Sequence, residues 1–335
     1  MAEKIRTGLV GGDRGLKASK DKYKRIPVKS MKRETGELSL MSLPAVIWYI
    51  LFCYLPLFGI FFAFKQFTPK SGESLIKNLF INSRWVGFDN FSFLFRSADM
   101  PKIIFNTLFY NSILLVLGIA IPVILAVFLA ELHSKRLSGL VQMVTVLPYF
   151  LSYVIVGYCV YGFLATDEGQ INHLLRLFGA EAVQWYQSPQ YWRFILIITE
   201  LWKSTGYTMV IFLCAITAID RSLYESAMLD GAGFMDRVRY VTLPQLQPTI
   251  ATIFILRIGS ILNSDFGLFY QVPLDSNSLQ PVTQTLDVYV YKALMQQANF
   301  SYSAATSLFQ SVVGCILLIA ANTIIKKIDA DSGLG

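Results

Sequence analysis

The sequence predicts an all-α membrane protein: six transmembrane helices with one short polar helix between the fourth and the fifth. Three observations carry this. Only 15% of the 335 residues are charged while 54% are hydrophobic, with a mean hydropathy of +0.50, whereas a soluble domain carries about a quarter charged residues. Six apolar runs each reach about 20 residues, enough to cross roughly 30 Å of hydrocarbon. Basic residues flank one side of those runs, and those of the external segment between Lys65 and Lys102 lie in a long loop that counts less.

In order, residues 1–40 form a basic arm with 11 Lys/Arg against 5 Asp/Glu, which holds most of the net charge of +7. It lacks periodicity and is expected to be largely disordered, with room for a short surface helix near Leu38. A basic arm can bind nucleic acid, but this one precedes an apolar span, and the positive-inside rule explains it without nucleic acid. No cleavable signal peptide is expected, because the first apolar run begins only near Met41. Residues 41–102 hold the first span, 43–64, with Pro44 at its start and a kink expected at Pro56, followed by an external segment rich in aromatics. Residues 103–327 form the core and 328–335 a tail.

The second span is 103–130, carrying Asn106, Tyr110 and Asn111, and a short link with Lys135 and Arg136 follows. The third, 140–165, is broken at Pro148. An external connection, 166–190, opens on a turn at Asp167-Glu168-Gly169. The fourth span, 194–219, carries Glu200 and Lys203, one helical turn apart and so able to pair. The fifth, 249–269, carries Arg257 and Asp265. A second external connection, 270–303, precedes the sixth span, 304–325, which ends on Lys326-Lys327. Six crossings put both termini on one side. The arm, Lys135/Arg136, Arg221/Arg237/Arg239 and Lys326/Lys327 mark that side as cytoplasmic.

Between the fourth and fifth spans lies a polar island, 222–248. Ser222 followed by Glu225 reads as a capping box, so a helix should start near Leu223. Gly231 and Gly233 can take the left-handed conformation that ends a helix. Ala227, Gly231 and Ala232 are small and let another surface approach the backbone. A short capped helix held against the membrane suits docking better than chemistry.

This stretch resembles the cytoplasmic coupling loop of permeases in binding-protein-dependent ATP-binding-cassette importers. The matching residues are Glu225-Ser226-Ala227, Asp230-Gly231-Ala232 and Leu243-Pro244, with Ser226 where the family usually has alanine. Further residues are similar to family positions: Trp85–Phe91, Asn106-Thr107-Leu108, Leu147-Pro148 and the 201–207 run. Asp287-Val288-Tyr289-Val290-Tyr291 and Tyr302-Ser303-Ala304-Ala305 are similar to Firmicute-type permeases for oligosaccharides and polysaccharide fragments, including uronate-containing ones. The resemblance spans about residues 40–327. It implies a type I importer permease fold in the cell (plasma) membrane, and no catalysis by this chain. The implied partners are a second, homologous permease in a heterodimer, two ATP-binding cassette subunits that carry the ATP and Mg, and an extracellular solute-binding protein that delivers an oligosaccharide.

The chain itself has no Gly-x-x-x-x-Gly-Lys-Ser/Thr loop to cradle phosphates and no metal or nucleophile constellation. His133 and His173 read as solvated or locally bonded histidines. Cys53, Cys159, Cys214 and Cys315 lie far apart in apolar runs and read as buried structural thiols. A sugar path needs hydrogen-bonding side chains and aromatic platforms. The candidates are Trp202, Tyr207, Asn263, Asp265 and Gln310, with Asn106 and Tyr110 beside them. Ser303, Thr306, Gln310 and Gly314 form one small-polar stripe, and Gly259, Asn263 and Gly267 another. Stripes of this kind also glue helices together. Two other function classes stay open: an ion-coupled secondary transporter using Glu200, Lys203, Arg257 and Asp265, and a non-transporting scaffold or receptor. Neither requires a docking helix at 222–248.

Overall fold

The computed structural model describes residues 28–68, 72–74, 77–132, 134–328 and 333. Residues 1–27 of the basic arm, His133 and most of the C-terminal tail lie outside these. The chain divides into two compact units, 1–59 and 60–335.

In the first unit, helix α1 (Val28–Tyr49) is followed by a wide turn of helix, Ile50–Tyr54. The arm was expected to be largely disordered with a short helix near Leu38; the described part is helical from Val28 and continues into the first span. That span covers Ser39–Phe64. Pro44 sits inside α1, and Pro56 falls in the tight helical segment Leu55–Ile60. Proline offers no N–H to the carbonyl one turn back, so the hydrogen-bond ladder shifts around it.

In the second unit, α2 (Phe61–Phe64) leads into a two-strand ladder. Strands β1 (Lys65–Gln66) and β2 (Arg84–Trp85) pair antiparallel with Lys65 opposite Trp85. The ring of Phe64 packs against Trp85, Phe88 and Phe91 at 5.8, 5.5 and 5.7 Å. The Trp85–Phe91 run thus closes on the end of the first span. Helix α3 (Asp89–Arg96) follows.

Helices α4 (Met100–Ala130) and α8 (Pro189–Thr217) are the longest apolar helices beside the last one. Between them come α5 (Lys135–Val146), a tight turn Leu147–Phe150, α6 (Tyr153–Leu164) and the short α7 (Gln170–Leu177). The third expected span falls on two helical pieces, Lys135–Phe150 and Tyr153–Leu164, that meet at a bend of 102° across residues 151–152. Ser152 caps α6 by accepting the Ile155 N–H. Lys203 Nζ donates to the Tyr149 carbonyl at 2.9 Å, so the freed backbone at the corner has a partner.

After α8 come α9 (Arg221–Leu229), α10 (Phe234–Arg237), a wide turn Val238–Thr242 and α11 (Leu243–Gly259). The chain then leaves helical geometry until a wide turn at Gly267–Gln271, and continues through α12 (Gln280–Thr283), α13 (Leu286–Met295) and α14 (Phe300–Ile328). The expected fifth span, 249–269, is thus no continuous helix: α11 ends at Gly259 and residues 260–265 are irregular. The apolar average over that window hid Gly259, Ser260, Asn263, Ser264 and Asp265, each of which competes with or weakens a helical ladder. Among the described residues four helices are long and apolar enough to cross a membrane, or five with the bent pair counted as one.

Irregular backbone within an apolar element must find its hydrogen bonds inside the protein. Asn111 Nδ2 donates to the carbonyls of Ile261 (2.7 Å) and Asn263 (3.0 Å). Gln310 Nε2 donates to the Leu262 carbonyl at 2.8 Å and to Asp287 at 3.2 Å. The Ser264 N–H donates to Asp287 at 2.6 Å, and its hydroxyl to Thr285 at 2.7 Å. Three apolar clusters pack the unit, the first and third of them around this break. One gathers Tyr110, Trp192, Leu196 and Phe269, another Val127, Met209, Phe212 and Leu246, and a third Leu94, Met100, Leu262 and Leu286.

Cys53, Cys159, Cys214 and Cys315 are exposed rather than buried. In a membrane span the apolar face points outward, so an apolar neighbourhood in sequence does not imply burial.

Gln310→Leu removes both hydrogen bonds that Gln310 donates and leaves the Leu262 carbonyl unpaired, which costs about 1–3 kcal/mol. A lowered melting midpoint in detergent is expected, with the exposed Ser311→Ala unchanged. An equal midpoint for the two variants would show that the break does not depend on Gln310.

Candidate functional site

The polar island is a built structure. Asp220, not Ser222, caps α9: its Oδ1 accepts the Ser222 N–H at 2.9 Å. That N–H holds the Asp220 carboxyl below the ordinary aspartate range. The expected capping box fails because the helix starts at Arg221, a step before it, and Glu225 is left exposed in mid-helix. Asp220 was missed as a cap although Asp is among the preferred capping residues.

The other end is closed as the glycines suggest. Gly231 adopts φ +82°, a conformation that costs a side-chain-bearing residue about 1–2 kcal/mol. The Gly231 N–H donates to Met228 O at 3.1 Å and the Ala232 N–H to Ala227 O at 2.9 Å, which is the Schellman pattern. Gly233 is extended rather than left-handed (φ −71°, ψ 179°), and its N–H donates to Asp236 at 3.1 Å.

Two contacts hold this loop against the end of α4, and one ties α9 to the turn before α11. Arg237 pairs with Glu131 at 3.0 Å. The hydroxyls of Tyr224 and Thr242 meet at 3.0 Å, and Thr242 is buried. Phe234 rests on Phe128 with ring centres 6.2 Å apart. Glu131, Tyr224 and Thr242 were not singled out from sequence, and Arg237 only as a basic flank. A charge pair across more than a hundred residues leaves no local signal.

Helix α9 has two faces. Arg221, Tyr224 and Met228 line a cavity against the ends of α4 and α8. Ser222, Glu225, Ser226 and Leu229 point away and are exposed, Leu229 at 90%. Asp230, Gly231, Leu243 and Pro244 are exposed beside them, while Ala227 and Ala232 are half-buried. The residues that carry the resemblance are therefore mostly exposed.

The second group of expected residues divides. Asn263 and Asp265 line a cavity of about 160 Å³ together with Asn111, Glu200, Arg257 and Ser260. The Arg257 guanidinium donates to Leu114 O at 3.0 Å and Thr208 Oγ1 at 3.4 Å. It crosses α4 at Gly118, where any side chain would collide with it. Trp202 instead lines a mainly apolar cavity of about 470 Å³ with Ile198, Thr205, Thr145 and Pro148. Tyr207 is half exposed and stacks on Tyr149 at 4.5 Å, with ring planes 9° apart.

Other residues belong to packing. Gln310 is 4% exposed and its amide is committed to the break. Asn106 and Tyr110 are buried and donate to carbonyls of 281–284. Gly314 packs against the Gly259 carbonyl, and Ser303 and Thr306 are buried, so the small-polar stripe joins helices. Glu200 and Lys203 do not pair with each other. Glu200 accepts from the Tyr153 hydroxyl, and Lys203 lies over the rings of Tyr153 (4.7 Å) and Tyr149 (5.2 Å).

Comparison with known proteins gives this geometry a setting. Residues 118–327 match the family model described as binding-protein-dependent transport system inner membrane component. Protein LplB of Bacillus subtilis (strain 168) is 37% identical over 303 residues, covering 90% of this chain and 92% of that protein. The polygalacturonan/rhamnogalacturonan transport system permease protein YteP of the same organism is 34% identical over 308 residues, covering 92% of each. Among solved structures, a bacterial ABC transporter involved in the import of the acidic polysaccharide alginate aligns with a TM-score of 0.80. The identity is 32%, over 90% of this chain and 98% of that one. A bacterial alginate ABC transporter in complex with alginate pentasaccharide-bound periplasmic protein aligns at 0.79, with 97% of its chain covered. With most of the core matched by the family model and two relatives above 30% identity along nearly the whole length, the chain belongs to the binding-protein-dependent transport system inner membrane components, a multi-pass permease of an ABC transporter.

Proposed function

We propose that this chain forms one half of the translocation path of an ATP-driven importer for an oligosaccharide or polysaccharide fragment. A second, homologous permease forms the other half, two ATP-binding subunits supply the ATP and Mg, and an extracellular solute-binding protein delivers the saccharide. The observation that carries the reading is α9, closed at both ends, tied by Tyr224 to the buried Thr242 on one face and exposed on the other. A docking element has to be rigid and accessible at once, and α9 is both. The saccharide class rests on the relatives, whose names refer to polygalacturonan, rhamnogalacturonan and alginate. The ion-coupled alternative loses support because Lys203 is covered by two tyrosine rings and Glu200 is held by Tyr153.

Gly231→Trp places a bulky side chain at a left-handed position on the exposed surface. Loss of uptake or of ATPase assembly is expected, with the protein still in the membrane. Normal ATP-dependent transport by this variant would refute the coupling role.

The proposed orientation puts six crossings in the chain, both termini in the cytoplasm and the α9 loop on the same side. The broken elements around Pro148 and Ser260 count as the third and fifth crossings. A cysteine placed at Asp236 should react with an impermeant maleimide only after the cells are opened. Labelling of intact cells would invert the topology.

For the path, Asn263 and Asp265 at the polar cavity and Trp202 and Tyr207 along α8 are the residues proposed to meet the sugar. Asn263→Ala should lower uptake several-fold, because a hydrogen bond to a sugar hydroxyl is worth about 0.5–1.5 kcal/mol. Stimulation of the ATPase by loaded binding protein should be retained. Uptake of wild-type affinity and rate in both Asn263→Ala and Trp202→Ala would move the path to other faces or to the partner permease.

A further inference from the structure

Behind α9 is a cavity of about 690 Å³, walled by the ends of α4 and α8, by α9 itself and by the turn at Thr242. Its volume lies in the about 300–1,000 Å³ range of small-molecule sites. Its chemistry is split. Val127, Ala130, Ile216, Ile219 and Met228 give it an apolar floor, whereas Arg221, Arg237 and Tyr224 give it a polar rim. The one carboxylate in the lining, Glu131, is already paired with Arg237 at 3.0 Å. Arg221 makes no ion pair among the described residues. The neighbouring Asp220 is turned to the start of α9, where it accepts the Ser222 N–H. The cavity therefore presents one uncompensated cation above an apolar pocket, at the level where two long apolar helices end.

From this arrangement we infer that the cavity is a binding site for an anionic phospholipid, with its phosphate at Arg221 and Tyr224 and acyl chain on the floor. A soluble phosphate compound makes no use of the apolar half, and a neutral lipid makes none of the arginine. Basic pockets between helix ends at the cytoplasmic surface are suited to anionic head groups. The site lies on the inner face of the helix whose outer face is proposed to dock the ATPase, so its occupant supports that helix from below. The cytoplasmic location rests on the proposed orientation.

The test uses the full chain purified from its membrane and placed in nanodiscs of phosphatidylcholine with or without phosphatidylglycerol, with retained lipid counted by native mass spectrometry. The wild type is expected to retain phosphatidylglycerol over phosphatidylcholine. Arg221→Gln should lower that preference about five-fold, the change expected from one basic side chain at an anionic surface. Arg221→Lys should keep it. Met228→Trp, which fills the apolar floor, should lower retention independently, and it carries the test if Arg221→Gln fails to fold. An unchanged preference in both Arg221→Gln and Met228→Trp overturns the site, as does full displacement by soluble glycerol phosphate. The readout needs neither saccharide nor ATP. Loss of uptake with lipid still retained counts against the importer reading alone, and lipid lost with uptake intact counts against this site alone.

Discussion

The second unit depends on satisfying the backbone of residues 260–265. In hydrocarbon, an unpaired carbonyl or N–H costs far more than in water, so a helix interrupted there must be repaired by side chains. Asn111 from α4, Gln310 from α14 and Asp287 from α13 reach the same short stretch from three directions. Each of these helices also contributes apolar residues to the clusters around the break. The polar repair and the hydrophobic packing thus select the same arrangement, and neither holds without the other.

The repair also gives the polar cavity its shape. Once the backbone leaves the helix at Gly259, Asn263 and Asp265 are displayed on a turn rather than on a helical face. There they meet Glu200 and Arg257. A continuous fifth helix would spread these groups along its length. The irregular segment therefore gathers hydrogen-bonding groups at one place while its own carbonyls stay occupied.

Much of the fold was legible in the sequence. Long charge-free runs mark the first, second and sixth spans, and a run with only Glu200 and Lys203 marks the fourth, since little besides lipid tolerates them. Pro148 announced the bend between α5 and α6, because proline removes a donor wherever it stands. Gly231 announced the end of α9 for steric reasons. The fifth run misled because an average over apolar residues cannot register where five weak helix formers cluster. Gln310 and Asn106 misled differently: a costly polar group inside an apolar helix has to face something, and sequence does not say whether that is a cavity or a broken backbone. Glu131 and Arg237 illustrate the general limit, since a pair joined only by the fold has no signature in either neighbourhood.

The corner at Pro148–Ser152 is pinned to α8 from several sides. Lys203 grips the Tyr149 carbonyl from beneath two aromatic rings, Tyr207 stacks on Tyr149, and Gly206 lets the Thr145 backbone lie directly on the helix. A bend of 102° invites comparison with a hinge, yet a hinge needs freedom that these contacts remove. The corner is mechanically an elbow cast in place. α8 and the segment around Pro148 must move as a single lever, and the compliance that any alternating motion requires has to come from surfaces other than this one.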